Sequence, residues 1–265
     1  MRVTRYAILR AALSVLVPLA ALAGGAHGLS QAPDAQPQGQ TFYKPTGEEG
    51  MIQGVVSVEG EVPPRPVIST MVSDPFCVSQ NKGGMRAEDI VVERGQLSNA
   101  LVYVESPALD AYRFEPRWLP VLRHRRCHVV PRVLAMQAGQ TLYVENVDRT
   151  AHSSALQTKV NPLFNKGLSP GQTFEMSLGR PEPPFPVKCT RHPWERAYLA
   201  VLPHPFYWVT ARGGAFAIEG LPPGEYEVGV WHEKFKEARA QVTVGAKETK
   251  VANFTFKFPG DTRAQ

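Results

Sequence analysis

From Met51 onward the chain runs in short stretches where apolar and polar residues alternate, each ended by Gly or Pro. A period of two marks an extended strand with one face in a core and the other toward water. The pattern predicts strands over Ile52–Val62, Ile90–Val92, Leu101–Glu105, Thr141–Asn146, Phe174–Leu178, Val187–Cys189, Ala197–Val201, Phe216–Ile218, Tyr226–Trp231 and Ala240–Val244. Near the end, Phe254, Phe256 and Phe258 fall on one face while Asn253, Thr255 and Lys257 fall on the other, which suits a sheet with one wet side. Helical periodicity is nearly absent, and only Ser106–Tyr112 has room for a helical turn. So many short strands predict an all-β chain, with two sandwiches rather than one. A new strand–turn–strand unit opens at Ala215, so the division falls near His204, giving units 51–203 and 204–260. Residues 51–104 suit either sandwich, and pairing with the C-terminal strands would make the middle an insertion.

The opening residues are patterned differently. Arg2 and Arg5 form a basic head, Ala11–Ala23 is apolar, and small residues follow at Ala21-Leu22-Ala23 and Ala26-His27-Gly28. Residues 1–28 therefore read as a secretory signal peptide. The apolar stretch is too short to span a bilayer and Pro18 interrupts it; no later segment is long and apolar enough to cross one. The expectation is a periplasmic or secreted protein with no membrane span after signal removal; a retained N-terminal anchor is the competing reading. Residues 29–50, rich in Gln and Pro and without period, read as a flexible linker.

Composition narrows the function. The 265 residues are 43% hydrophobic and 20% charged, with 22 Gly and 24 Pro, which excludes coiled coil, collagen and wholesale disorder. The formal charge of +5 includes Arg2, Arg5 and Arg10; the small remainder gives no reason to invoke nucleic acid. No Gly-x-Ser-x-Gly elbow, phosphate-cradling glycine loop or His-Glu-x-x-His helix is present, and the carboxylates form no evident pair. The chain does not read as an enzyme. Its three cysteines, Cys77, Cys127 and Cys189, leave at least one thiol without an intramolecular partner.

The residues that carry chemistry stand in two stretches, Val144–His152 and Val187–Glu195. Cys189 and His192 lie three apart at the end of a predicted strand, so a tight loop can aim both at one point. His152, from a neighbouring strand, closes a three-donor plane. Two imidazoles and a thiolate in such a plane form the arrangement of electron-transfer copper.

These residues resemble the blue copper family, the cupredoxins, and the short ligand loop is most similar to amicyanin and related plastocyanin-like proteins of the methylamine-utilisation type. The family pattern of a strand, Asn-x-Asp and a first histidine is met at Asn146, Asp148 and His152. Its closing Cys-x-x-His-Pro-aromatic is met at Cys189, His192, Pro193 and Trp194. The likeness extends to Gly139-Gln140-Thr141 and Phe164-Asn165, and covers about Val129–Val201. It implies a Greek-key sandwich, one copper ion on His152, Cys189 and His192, and one-electron exchange with a redox partner protein. Asn146 and Ser153 would then tie the ligand loops together.

The chain departs from the family at two positions. Ser153 stands where Asn is common, and a hydroxyl has shorter reach. Glu195 stands at the axial Met position. As a hard, charged donor, Glu195 would stabilise Cu(II), lower the potential, or favour zinc; turned to solvent, it would leave a three-donor site or none. If Cys189 binds metal, an oxidising compartment favours a Cys77–Cys127 disulfide, worth on the order of 3–4 kcal/mol. A bridge from either to Cys189 would abolish the site. Cys127-His128 offers a second, weaker metal locus.

The C-terminal block Val209–Phe258 resembles the carboxypeptidase regulatory-like, prealbumin-like β-sandwich modules, through Gly214–Ile218 and Leu221-Pro222-Pro223-Gly224-Glu225-Tyr226. Trp231-His232-Glu233 accompanies plastocyanin-like domains in such chains, near the copper loop; packing at a sheet edge is the plainer account. Trp194 and Phe206-Tyr207-Trp208 are candidates for a docking surface near an exposed His192 edge, or for ordinary packing. The competing functions are a non-redox binding or structural protein of the envelope with a degenerate copper site, and copper storage or delivery.

Overall fold

The computed structural model describes residues 40–258. The leader 1–28 and the first part of the linker lie outside the described residues, as does the end of 204–260. Within them the chain is all-β, with one six-residue helix at Pro75–Gln80 and a short 3-10 turn at Ser69–Ser73. No helix among the described residues is long and apolar enough to cross a membrane.

Two sheets make the middle sandwich. One orders the strands Thr173–Ser177, Thr141–Asn146, Val121–Arg125 and His128–Val130. The other orders Phe164–Leu168, His152–Leu156, Glu182–Lys188, Arg196–Leu202 and Val133–Gln137. Alternation fills the space between them: Leu122, Leu142 and Val144 from the first meet Leu156, Phe185, Val187 and Leu199 from the second. Asn146, at the end of its strand, continues the inward row beyond the apolar core.

The remaining strands make a second sandwich from both ends of the chain. Gly50–Glu59 pairs with Ala215–Leu221, Thr249–Val251 and Phe254–Lys257. Leu101–Glu105 pairs with Tyr207–Val209 and Gly224–His232. Strands from 51–104 therefore lie with the C-terminal strands, and residues 121–202 are inserted between them. Gly54 is needed where the chain passes from Thr249–Val251 to Phe254–Lys257, because a side chain there would strike the Ala252 carbonyl. Phe254 and Phe256 are buried, as their alternation predicts.

A small third core joins the sandwiches. Val133, Ala135 and Ala200 from the middle one pack against Leu101, Tyr103 and Tyr207 from the other. Arg196–Leu202 is covered on both faces, which is why its sequence reads apolar almost throughout. Beside this core, buried Arg132 pairs with Glu233 at 2.6 Å, reaches Asp89 at 3.0 Å and donates to the Arg196 carbonyl. The Trp231–Glu233 trio is thus spent on packing: Trp231 lies against Tyr198, and His232 and Glu233 are buried rather than solvated.

Ser106–Tyr112 holds turns, as expected: the Leu109 amide donates to the Ser106 carbonyl and the Asp110 amide to the Pro107 carbonyl, before the two-residue strand Tyr112–Arg113. One expectation is corrected locally. The later part of the linker is ordered: Thr41–Phe42 pairs with Tyr112–Arg113, and the Tyr43 hydroxyl donates to Glu49.

Candidate metal centre

His152 opens its strand, and the antiparallel neighbour Glu182–Lys188 ends one residue before Cys189. The connection back to Arg196–Leu202 is a tight loop. The Cys189 amide donates to the Glu195 carbonyl and the Glu195 amide to the His192 carbonyl, folding the loop over its own side chains. Ser153 fixes the segments that carry His152 and Cys189 to one another. Its amide donates to Cys189 Sγ at 3.3 Å, and its hydroxyl accepts from the Thr190 amide at 2.8 Å. Asn146 acts one step back: its side chain donates to the Thr150 and Leu168 carbonyls and accepts from the Asp148 amide, shaping the loop that leads to His152.

His152, Cys189, His192 and Glu195 are all buried, and one donor atom of each lies within 4.8 Å of every other. The Nδ1 atoms of His152 and His192 are 3.0 Å apart, and Cys189 Sγ is 3.8 Å from His192 Nδ1. Glu195 Oε1 is 2.9 Å from His152 Nδ1 and 3.2 Å from His192 Nδ1. Yet Oε1 makes no hydrogen bond of acceptable geometry with either ring. These atoms crowd one small buried space. Metal–nitrogen bonds of about 2.0 Å and metal–sulfur bonds of about 2.3 Å require separations of this size. The donor set fits a metal ion.

Each imidazole is oriented from behind by a carboxylate. His152 Nε2 donates to Asp148 Oδ2 at 3.1 Å, and His192 Nε2 donates to Asp74 Oδ2 at 3.0 Å. A carboxylate only accepts, so each Nε2 carries a hydrogen, and each Nδ1 faces inward, where its lone pair becomes available to a metal once its own proton leaves. Asp148 is held by the Arg126 and Cys127 amides. Asp74 caps the short helix, accepting from the Phe76 and Cys77 amides, and also accepts from the Thr150 hydroxyl.

Glu195 is gripped rather than free. Its other oxygen lies 2.7 Å from His124 Nδ1, while His124 Nε2 meets Ser154 Oγ at 2.9 Å; the His124 ring stacks on His152. The alternative in which Glu195 turns to solvent is therefore overturned, since the carboxylate is wholly buried with His124 behind it.

Electrostatics follow from these contacts in the metal-free protein. Burial disfavours charge on His152 and His192, but hydrogen bonds to Asp148 and Cys189 for the first, and to Cys189 and Asp74 for the second, together with the close negative charge of Glu195, outweigh it. They push the pKa values up to about 11 and about 10. Burial likewise opposes the Cys189 thiolate, yet His152 and His192 bring it down to about 5. Against burial, His124, His152 and His192 hold Glu195 well below the usual carboxylate range. The thiolate and carboxylate that a metal needs are already ionised.

Cys77 and Cys127 form a disulfide and Cys189 is free. That bond takes Cys127 out of any second metal locus with His128, which instead lies 3.8 Å from Glu88. Of the docking candidates, Phe206 and Tyr207 are buried and Trp194 packs on His192 with Nε1 donating to the Cys127 carbonyl, as ordinary packing would have it, while Trp208 is exposed; His192 itself is covered by Asp74 and is 3% exposed.

Sequence reasoning missed His124 and Asp74, and used Asp148 only as part of a pattern. His124 left a trace: in Val121–Arg125 it shares the inward face with Leu122, between exposed arginines. Asp74 before Pro75 is a helix-start signature that the absence of helical period hid.

No family model matches the chain, and no curated protein does. Solved structures do. A novel purple cupredoxin from Nitrosopumilus maritimus is 19% identical, with a TM-score of 0.28, over 31% of this chain and 99% of its own. Amicyanin from Paracoccus versutus is 18% identical, with a TM-score of 0.29, over 33% of this chain and 85% of its own. A copper-containing nitrite reductase from Thermus scotoductus is 14% identical, with a TM-score of 0.30, over 56% of this chain but only 28% of its own. Scores this low leave the reading of the site to its own atoms.

Proposed function

We propose that His152, Cys189, His192 and Glu195 hold one copper ion and that the protein exchanges single electrons with a redox partner protein outside the cytoplasm. The observation that carries this reading is the convergence of four buried donors, with both imidazoles turned inward by carboxylates. A thiolate favours Cu(I), imidazole serves both oxidation states, and Glu195 shifts the balance toward Cu(II). Bound copper would supply the one-electron chemistry; the chain supplies a rigid, water-excluding seat. Ser153 fixes the thiolate, Asp148 and Asp74 fix the rings, and His124 fixes Glu195. Four buried side-chain donors fill the seat, which favours a carrier over an enzyme. The Cys77–Cys127 disulfide suits a periplasmic or secreted location. Beside the donors, Thr190, Arg191 and Pro193 of the ligand loop are exposed, and a partner would approach there.

The test is metal analysis of the purified protein, then Cu(II) titration followed by visible and paramagnetic-resonance spectra. One equivalent of copper, a thiolate-to-copper band and a reversible one-electron wave are expected, all absent in Cys189→Ser. A colourless protein that takes only zinc from the same titrations would replace the copper reading with a zinc site.

A further inference from the structure

Resting on that metal reading, we propose that the Cys77–Cys127 disulfide is a positioning element of the centre, locking together the two carboxylates that aim its imidazoles. The links are short on both sides. The Cys77 amide donates to Asp74 Oδ1 at 3.1 Å, and Asp74 Oδ2 receives His192 Nε2. The Cys127 amide donates to Asp148 Oδ2 at 2.8 Å, and that same oxygen receives His152 Nε2. Each sulfur therefore leads through one amide and one carboxylate to one inward-facing ring.

The two carboxylates come from separate parts of the fold, tied across a seam that also includes the Thr150 hydroxyl donating to Asp74. Asp148 sits in a loop of the middle sandwich. Asp74 sits on Ser69–Gln80, which belongs to no sheet and lies between strands of the other sandwich. A helix of six residues is marginal by itself. Around the disulfide, Met71 and Met85 form a small apolar cluster with Ile68, Phe76 and Trp194 packed on it. The flanking bonds bridge the same seam: the Asn81 side chain donates to the Arg126 and Cys77 carbonyls, and the Arg126 guanidinium donates to the Gln80 carbonyl. The disulfide is the covalent member of this seam. A bridge that only shortened the unfolded chain would stabilise the whole fold and leave the histidine hydrogen bonds alone. Here the two bridged cysteines are the residues whose amides hold the two carboxylates.

The experiment compares the parent with Cys77→Ala/Cys127→Ala, with Asp74→Asn, and with the combination. In the metal-free parent, proton resonances of His152 and His192 Nε2–H should exchange slowly; the bridge-free variant should lose this protection. Its Zn(II) affinity, measured by chelator competition, should fall about 10–100-fold. Adding Asp74→Asn to it should cost far less than Asp74→Asn costs the parent, because both remove the same support. Should the bridge-free variant not fold, the disulfide equilibrium of the parent in glutathione buffer decides. By reciprocity, bound Zn(II) should favour the oxidised pair by the same factor, about tenfold or more. Retained slow exchange, unchanged affinity and additive effects would overturn the proposal, as would a disulfide equilibrium indifferent to metal. A parent that takes up no metal ends the copper reading, while the resonances of the metal-free protein still decide on the brace.

Discussion

The two sandwiches bury histidines of opposite character. In the middle one, His152 and His192 stand against carboxylates and a thiolate, and their pKa values rise to about 11 and about 10. In the other, His204 lies among Phe114 and Phe206, and His232 lies against Phe235. For those two, burial dominates and drives both down to about 4; at His232 the charge of Arg132 adds to it. All four side chains are nearly inaccessible, so burial alone does not set their charge. Partners do. One region keeps its histidines among donors that a metal can use, and the other uses them as neutral packing rings.

Acid offers the largest way to break this contrast. His204 and His232 have folded pKa values below the unfolded value of about 6.5, so the unfolded chain binds their protons first as pH falls. Their contribution is complete above about pH 6.5 and is lost down to about pH 4, at roughly 3 kcal/mol each. Urea unfolding at stepped pH should show this slope, and His204→Leu with His232→Leu should flatten it. An unchanged slope would mean that other groups govern acid lability.

Next in size is the joint between the regions. Arg132→Ala leaves Glu233 buried without its cation and should cost about 3–5 kcal/mol in thermal or urea unfolding. Adding Glu233→Gln should recover part of it; full additivity would count against the pairing. In the middle sandwich, Glu195→Met would take a hard carboxylate away from the proposed copper, and should raise the reduction potential and intensify the visible thiolate band. Voltammetry of the copper-loaded pair checks the sign, and an equal or lower potential would place Glu195 outside the coordination sphere. The smallest effect belongs to Ser153→Ala, which removes the acceptor of the Thr190 amide. A loss of about 1 kcal/mol is expected, with faster amide exchange confined to the ligand loop.

Much of this was legible wherever a strand has one face in an apolar core. Thr141–Asn146 and Leu101–Glu105 have the bounds that alternation predicts. Cys189, His192 and Glu195 were legible as a group because they are local to one another. His152–Leu156 was not legible as a strand, since its buried positions His152, Ser153 and Ser154 are polar. Asp74 and His124 were not, because their partners are 118 and 71 residues away. The home of 51–104 was hidden for a related reason: both sandwiches are written in the same period of two, and nothing local says which sheet a strand will join.

The strand Gly50–Glu59 waits at one end of the sequence for Phe254–Lys257 at the other. On a ribosome, residues 121–202 would all emerge while that first strand still lacked its neighbour. The segment that carries Cys189, His152 and His192 is thus in a position to organise before the sandwich around it can close, with buried Phe254 and Phe256 completing that closure.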